Sequence, residues 1–279
     1  MAYLKTPEEM KIIAKSGRVL GKILKKLAKM SKPGVSTWEI DQEAEKLIKK
    51  AGGKPAFKGF KGKESDPPFP TTICASLNDE LVHGIATKNK ILKKGDIFSI
   101  DIGMEWPVES KKLKVKSEKI GEGGYFTDTS ITVAIGKVPE EVEKLLKVTQ
   151  ESLLVGIKAI KIGGTIADIG RAIENYVQSQ GNYGIVRDLV GHGVGHEVHE
   201  EPRVPNYYDK KLEDWKIEPG VVIAIEPMIT LGDYHIVTAA DGWGISTVDH
   251  SLCAHFEHTI CVTEKGVVVA TRRPGEIKN

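Results

Sequence analysis

Apolar side chains early in the chain recur every three or four residues, the period of an amphipathic helix. Residues 6–9, Thr-Pro-Glu-Glu, begin this stretch with an N-cap, a proline for the first turn and a glutamate three positions after the cap. Ser36 begins a second such stretch, which we expect to end near Ala51. Pro139 and Thr165 begin two more. The pattern therefore predicts two pairs of helices.

Runs rich in Val, Ile, Phe and Thr predict strands between and after these helices. We expect strands within residues 91–103 and 125–136, a buried strand over 219–228, and a terminal hairpin over 255–272. The polar, proline-rich segment 54–70 and the glycine- and histidine-rich segment 191–202 predict loops. The order of elements is helix, helix, loop, strand, and it occurs twice.

Two alignments of the chain with itself support a repeat. Residues 32–36 align with 161–165, and residues 93–101 align with 218–226, which places Asp101 on Glu226. One interpretation is similar cap and turn chemistry that arose independently. We favour a duplicated α+β unit, with helices on the outer face of the sheet and the acid-bearing strands around one site. The two halves would span about 6–136 and 139–272 of one domain, 1–279.

The composition of the chain argues against several classes of function. The 279 residues carry 40 Lys and Arg against 38 Asp and Glu, so the net charge of +2 gives no overall argument for binding DNA or a membrane. The three cysteines form no C-x-x-C pair, which argues against a structural zinc site and fits reduced thiols. The N-terminus has charges throughout and no long apolar run follows. We expect a cytoplasmic protein without a membrane span.

Four acids stand within predicted strands: Asp101, Asp128, Glu226 and Glu257. An unpaired buried carboxylate is costly, and several that converge are most readily stabilised by a cation. Oxygen ligands with one imidazole suit divalent Mn, Fe, Co or Zn. Any one of these acids alone is more often a surface residue at a strand end. Four together, two of them related by the repeat, favour a metal centre.

The segment GHGVGHEVHEEP (191–202) contains three of the eight histidines. The i, i+4 spacing of His192 and His196 is that of a helical pair of zinc ligands. Three glycines argue against a helix, because each costs about 1 kcal/mol relative to alanine. We therefore expect an extended or irregular segment that separates these histidines.

These motifs, together with SLNDELVHG (76–84), the DTS that begins at Asp128, IAIEPM (223–228) and HFEHT (255–259), resemble those of type I methionine aminopeptidases. The resemblance extends from the first helix to the last strand. It implies an α+β pita-bread fold, in which a pseudo-two-fold repeat of helix-helix-strand units surrounds an antiparallel-rich sheet. It also implies two divalent metal ions and removal of the N-terminal methionine from nascent polypeptides.

Position by position, the resemblance assigns a role to each candidate residue. Asp101 would bind one metal ion, Asp128 and Glu257 would bridge both ions, and His192 and Glu226 would complete the other. Glu226 would also transfer a proton from the attacking water to the leaving amine. His199 would contact the substrate carbonyl, and His83 would lie near the scissile nitrogen. The predicted catalytic residues are therefore His83, His199 and Glu226.

The methionine pocket maps by the same resemblance to four residues, besides His83 and His199. They are Phe60, Phe69, Cys74 and Trp243; ordinary core packing would also explain aromatic residues there. Val198 stands where many relatives carry an aromatic residue, which widens the pocket or leaves its wall to another residue. His196, His235, His250 and His258 are assigned structural or surface roles. His255 is a candidate contact behind the metal ligands.

Two segments are longer than in compact bacterial relatives, at 61–70 and 105–126. The second lies between Asp101 and Asp128 and contains five lysines within 111–119. A solvated hairpin whose lysines discourage edge pairing explains it. The sharper hypothesis is a transient contact with the ribosome. We otherwise expect a monomer.

Three rivals remain on the sequence. Aminopeptidase P and prolidase share the five ligands but usually carry a large N-terminal domain. A pita-bread binding protein without catalysis would have lost ligands, and all five are present here. A creatinase-type hydrolase is possible on fold alone, but SLNDELVHG and the DGWG segment (241–244) argue against it.

Overall fold

A computed structural model describes residues 4–64, 66–107 and 123–276. The described residues form four α-helices: α1 (Pro7–Met30), α2 (Thr37–Lys50), α3 (Glu140–Ala159) and α4 (Ile166–Gln180). Thr6, Ser36 and Thr165 each form a capping box, in which the cap side chain accepts from the third helical N–H and that residue's carboxylate accepts from the cap N–H. Pro139 precedes α3 without a side-chain cap. The four predicted helices are confirmed.

The strands are short and pair only in antiparallel fashion within the described residues. They are β1 (Lys54–Pro55), β2 (Ile73–Leu77), β3 (Glu80–Val82), β4 (Ile97–Trp106), β5 (Tyr125–Ala134), β6 (Gly184–Ile185), β7 (Gly191–Gly193), β8 (Glu200–Val204), β9 (Val222–Ile225), β10 (Met228–Thr230), β11 (Ile236–Thr238), β12 (Ile245–Thr247), β13 (Cys253–His255), β14 (His258–Thr263) and β15 (Gly266–Val269). One sheet has the order β1-β4-β2, with β5 also paired to β4, and a second has the order β15-β14-β9-β7-β8. Two three-stranded sheets, β13-β10-β6 and β11-β12-β3, complete the arrangement.

Each pair of helices covers one of the two larger sheets. Side chains of α1 and α2 pack on β4 in one apolar cluster, which includes Leu24, Ile40 and Phe98. Side chains of α3 and α4 pack on β9 and β14 in another, which includes Ile157, Ile173 and Ile260. The helices therefore lie outside both sheets and leave the inner faces to form a site.

The turns between the paired helices repeat in both halves, and each contacts the segment before an acid-bearing strand. Gly34 (φ 90°) donates from its N–H to the carbonyl of Leu92, and Gly163 (φ 83°) donates to the carbonyl of Ile217, each at 2.8 Å. Both glycines adopt left-handed backbone conformations, in which other residues are strained. The matching geometry supports the duplicated unit inferred from the sequence.

Two expectations about strands need correction. The strand expected over 219–228 is broken: β9 ends at Ile225 and β10 begins at Met228, because Pro227 cannot donate to the ladder. Glu226 therefore lies at a break in the sheet, and Glu257 likewise precedes β14 instead of lying inside a strand. The terminal hairpin is confirmed as β14 and β15. Of the lysine-rich insertion, residues 108–122 lie outside the described part of the chain.

None of the four helices in the described part of the chain is apolar and long enough to cross a membrane. The three cysteines, Cys74, Cys253 and Cys261, are buried free thiols.

Candidate metal centre

The hairpin of β4 and β5 provides two of the candidate ligands. Asp101 pairs with Ser130, and Gly103 pairs with Asp128. Cross-strand partners project to the same face, so Asp101 and Asp128 are diagonal neighbours on the inner face of the hairpin. Hydrophobic residues alternate with them on the outer face under α1 and α2. The alternation seen in the sequence therefore sets the direction of both carboxylates.

Thr259 on β14 joins the two larger sheets at Asp128. Its hydroxyl oxygen accepts from the backbone N–H of Asp128 at 3.1 Å and lies 2.9 Å from Asp128 Oδ1. His258 pairs with Ile225 in antiparallel fashion, so Glu257, just before His258, and Glu226, just after Ile225, lie side by side at the same end of the sheet. The junction of the two sheets thus gathers four carboxylates.

His192 on β7 is oriented by its own backbone neighbour. Its Nδ1 lies 2.9 Å from the carbonyl oxygen of Gly193. A carbonyl only accepts, so Nδ1 carries the hydrogen and Nε2 has a free lone pair. Nε2 lies 3.5 Å from Asp128 Oδ2 and 3.6 Å from Glu226 Oε1. The imidazole is therefore in the tautomer that binds a metal through Nε2.

The carboxylates oppose one another's ionisation. Burial raises the pKa of Asp101 to about 8, and the charges of Asp128 and Glu226 act in the same direction. Burial also raises the pKa of Glu226 to about 8 and, with the charges of Asp128 and Asp101, raises the pKa of Glu257 well above its usual value. Negative charges this close and this poorly solvated favour a bound cation.

The donor atoms fit a divalent metal. Asp128, His192 and Glu257 each offer a ligand atom, and these atoms lie within 4.8 Å of one another. Within the described part of the chain, Asp101 Oδ1 and Glu257 Oε2 are buried without a hydrogen-bond partner. Buried polar atoms normally have partners, so these two are suited to a ligand. Oxygen donors with one imidazole match the preferences of Mn, Fe, Co and Zn.

His199 and His83 face this centre from two different loops. The ring of His199 lies 4.4 Å from that of His192, nearly perpendicular to it. His83 has a left-handed backbone (φ 58°), which is uncommon outside glycine and often marks a functional residue. Burial lowers the pKa of His83 to about 4 and that of His199 to about 3. Both imidazoles are therefore neutral at pH 7.

His196 is turned away from the centre. Its Nε2 lies 3.0 Å from Oε1 of Glu9 on α1, and its ring lies beside Tyr125. The 191–202 segment is not helical, as its glycines predict: its ends belong to β7 and β8, and residues 194–199 between them are irregular. The i, i+4 spacing thus places one histidine at the carboxylates and the other against α1.

A cavity of about 790 Å³ adjoins the carboxylates. All eleven candidate site residues line it: Phe60, Phe69, Cys74, His83, Asp101, Asp128, His192, His199, Glu226, Trp243 and Glu257. Its apolar end contains two edge-to-face aromatic contacts, Phe60 with His199 and Phe69 with Trp243, each at 5.2 Å. The structure brings the candidates together, and their individual roles remain predictions.

Phe57 is a wall of this cavity that the sequence did not reveal. It packs in one apolar cluster with Phe69, Cys74 and Val198. A side chain at Gly103 would place Cβ 2.6 Å from Cε1 of Phe57, so this glycine makes room for the ring. A glycine inside a strand, two residues after Asp101, is the signal that could have indicated a close approach.

His255 stands behind Glu226. Its Nε2 lies 3.3 Å from Glu226 Oε2, and its Nδ1 lies 3.0 Å from the hydroxyl of Ser130. Arg273, also buried, donates to the carbonyl of Ser130 at 2.8 Å and to the hydroxyl of Thr129. These contacts join β5, immediately after Asp128, to His255 and to Arg273.

Comparison with known proteins agrees with this geometry. Residues 11–264 match the model of metallopeptidase family M24. The chain is 42% identical over 272 residues to methionine aminopeptidase 1 of Bacillus subtilis, covering 98% of this chain and all of that protein. It is 40% identical to the methionine aminopeptidase of Aquifex aeolicus, over 96% of this chain and 98% of that protein.

Solved structures are similar over the same length. A methionine aminopeptidase from Thermotoga maritima superposes with a TM-score of 0.85 at 36% identity, covering 98% of this chain and 100% of that chain. The prolidase of Pyrococcus horikoshii has a TM-score of 0.71 at 23% identity, with only 65% of that chain covered, and so shares the fold alone. The chain belongs to metallopeptidase family M24 and, within it, to the methionine aminopeptidases.

Proposed function

We propose that this chain removes the N-terminal methionine from newly made proteins and peptides by hydrolysing the first peptide bond. The observation that carries the proposal is one cavity with an acid- and histidine-rich end joined to an apolar, aromatic end. The first suits hydrolysis, and the second suits an unbranched thioether side chain. A protein that only bound peptides would have no need of buried carboxylates without partners.

The carboxylates and His192 are proposed to hold two divalent ions. Asp101 would bind one ion, Asp128 and Glu257 would bridge the two, and His192 and Glu226 would complete the second. When bound, such ions lower the pKa of a coordinated water and stabilise negative charge on the attacked carbonyl. Asp101 and His192 lie on two different sheets, which supports one distinct ligand for each ion.

Three side chains are proposed to act on the substrate. Glu226 carries a proton from the attacking water to the leaving amine, with His255 fixed behind its Oε2 at 3.3 Å. His199 stabilises the developing oxyanion with a neutral imidazole, held edge-on between His192 and Phe60. His83 contacts the scissile nitrogen. Both histidines are neutral at pH 7, so they act as hydrogen-bond partners without repelling the ions.

The apolar end is proposed to select methionine. Phe60, Phe69, Cys74 and Trp243 surround it, and the burial of Cys74 holds its thiol protonated, because the pKa is raised well above its usual range. An inert thiol and aromatic walls bind an apolar side chain without offering it a reactive group. Phe57, the wall missing from the sequence prediction, completes this end.

A peptide assay tests the function. The purified protein would be stripped with a chelator, reloaded separately with Fe, Mn, Co or Zn, and assayed on Met-Ala-Ser and on an X-Pro dipeptide. We expect release of methionine from the first peptide only, with recovery by at least one metal. Cleavage of the X-Pro dipeptide alone would instead favour a prolidase-like activity, and a protein that takes up no stoichiometric metal would favour a binding module.

The partners are proposed to be nascent polypeptide N-termini, approached by a monomer acting as one catalytic domain in the cytoplasm. Transient ribosome contact through the 105–126 insertion stays a prediction from its lysines, since 108–122 lies outside the described residues. Deleting 109–122 is expected to weaken salt-sensitive co-sedimentation with ribosomes. Unchanged co-sedimentation would exclude the insertion as the contact.

A further inference from the structure

The solvent face of α1 is entirely basic from its second turn onward. Every exposed residue between positions 11 and 29 is lysine or arginine, and Lys25, half-buried, lies among them. The basic face of α1 is defined here as Lys11, Lys15, Arg18, Lys22, Lys25, Lys26 and Lys29. The protein as a whole is nearly neutral, with a net charge of +2, so this face is a local concentration of charge.

The seven side chains form one straight row. At 100° per residue they lie within a sector of about 100°, and from first to last they span about 27 Å of helix. Such a row follows the geometry of a linear polyanion more closely than that of a small anion. A single phosphate would contact only one or two of them.

The row is poorly neutralised by the protein. Among the described residues, Lys11 lies 3.6 Å from Glu8 and Lys26 lies 2.6 Å from Glu43, while Lys15 lies over the ring of Trp106. Like charges four residues apart destabilise a helix by about 0.2–0.5 kcal/mol per pair. The helix dipole favours cations only in the last turn, and so does not explain Lys11 to Lys22.

The corresponding helix of the second half lacks this feature. The exposed charged residues of α3 are of both signs: Glu140, Glu141, Glu143, Lys144, Lys147 and Lys158. Both helices cover the outer face of a sheet, so packing alone does not demand an all-basic solvent face. The charge of α1 is therefore a property of this surface and not of the repeated fold.

A membrane is a poorer match than a nucleic acid. A helix that binds in a bilayer interface needs a free apolar face to insert. The apolar face of α1 is already buried in the core, with Leu20, Leu24 and Leu27 fully inaccessible. Only the charged end groups of the lysine and arginine side chains remain available, and these suit contacts with phosphate in water.

A partner on this face leaves the metal centre open. Ser16 on the inner side of α1 lies 3.0 Å from the hydroxyl of Thr127 on β5. Thr127 and Asp128 are consecutive in the strand, so their side chains point to opposite faces. The basic face and the cavity therefore lie on opposite sides of β5.

We propose that the basic face of α1 binds the phosphate backbone of RNA. The choice of RNA over other nucleic acids rests on the proposed action on newly made N-termini; the charge argument does not depend on it. The contacts are to phosphates, so binding is independent of base sequence and weakens steeply with salt.

The test uses the metal-loaded full chain and a fluorescein-labelled 20-nucleotide single-stranded RNA of mixed sequence. Arg18→Gln, Lys22→Gln and Lys29→Gln are combined, because none of the three forms an ion pair with a described residue. The matched control combines Lys144→Gln, Lys147→Gln and Lys158→Gln on α3, which removes the same charge elsewhere. Phosphatidylglycerol vesicles and a DNA strand of the same sequence serve as competing probes.

We expect the α1 variant to bind RNA at least about tenfold more weakly at moderate salt, with the slope of log K against log salt reduced by about 2. The control should bind like the unmodified protein, and both should release methionine from Met-Ala-Ser at the unmodified rate. Equal RNA binding by the two variants overturns the proposal, as does a preference of the α1 face for vesicles or tenfold tighter binding of DNA. Loss of peptide cleavage in the unmodified protein would contradict the proposed function and not this surface.

Discussion

Lys5, just before the first helix, forms a buried ion pair with Glu200, the first residue of β8, which directly follows His199. The side chains are 1% and 6% exposed. The other oxygen of Glu200 accepts from the backbone N–H groups of His196 and Glu197. The N–H of Lys5 donates to the carbonyl of Gly220 at 2.8 Å. The N-terminal segment thus fixes the turn that presents a predicted catalytic histidine.

Replacing Lys5 by methionine should therefore affect both stability and turnover. Removing one partner of a buried pair costs about 3–5 kcal/mol, because the other charge is left uncompensated. We expect a lower free energy of unfolding in denaturant and a lower kcat, with metal content retained. Lys11→Met is the control, since that side chain is 77% exposed and its ion pair contributes little. Metal loss in Lys5→Met would show that the pair supports the ligands instead of the turn.

His192→Ala should remove metal binding with little loss of fold. The imidazole is only partly buried and makes one hydrogen bond within the described part of the chain, to Gly193, so its removal leaves the sheets intact. We expect reduced metal content by elemental analysis, activity below a hundredth of the unmodified rate, and unchanged circular dichroism. A variant that kept both metal and activity would remove His192 from the proposed ligand set.

His199→Ala should separate chemistry from metal binding. Its ring contacts those of Phe60 and His192 but belongs to the substrate side of the cavity. Losing one stabiliser of the oxyanion lowers kcat by about 100- to 1,000-fold. Metal content, measured as for His192→Ala, should be unchanged. Metal loss here, with retention in His192→Ala, would mean that the two roles are exchanged.

Gly103→Ala should change the shape of the proposed methionine pocket without adding a charge. The added Cβ would lie 2.6 Å from the ring of Phe57, which must then move into the cavity. We expect the KM for Met-Ala-Ser to rise roughly tenfold, as for one misplaced methylene in an apolar pocket. Adding Phe57→Leu should restore part of the affinity by making room. No recovery in the double variant would place the damage in the β4 backbone instead of the pocket.

The ionised side chain of Glu276 should make the free energy of unfolding depend on pH in the acid range. It is partly buried, which opposes ionisation, but the hydrogen bond with His258 and the charge of Arg273 lower its pKa to about 2. Because this pKa is lowered, the ionised Glu276 side chain contributes fully to the free energy of unfolding above about pH 4.5. This contribution is lost as the pH falls through 2. Glu276→Gln should lower the free energy of unfolding by roughly 2 kcal/mol at pH 7. The difference from the unmodified protein should shrink between pH 4.5 and 2; a constant difference would exclude the ionised carboxylate as its source.

The local elements were predictable because their causes are local. The capping boxes at Thr6, Ser36 and Thr165 each depend on residues three positions apart, and all three helices begin where the sequence places them. The inward direction of Asp101 and Asp128 follows from strand alternation alone. The broken strand at Glu226 was missed, although Pro227 next to it was the available signal.

Contacts between distant segments were not predictable from any spacing. The partner of His196 is Glu9, 187 positions away, and that of Lys5 is Glu200, 195 positions away. Phe57 lines the cavity because Gly103 has no side chain, a relation between the loop after β1 and a residue of β4. Each depends on how the sheets meet.

By itself the sequence determined the helices, the strand alternation, the repeat and, through the resemblance of its motifs, the family. These features arise from short-range hydrogen bonding, from the periodic spacing of apolar side chains along the chain, and from residue type. Only the tertiary structure decided which polar groups are in contact. It joins two sheets through Thr259 and Asp128, pairs Lys5 with Glu200, and places α1 with its basic face on the outer side of β5. The reason is physical, because burial and convergence depend on the packing of whole sheets and helices, and no local pattern records that packing.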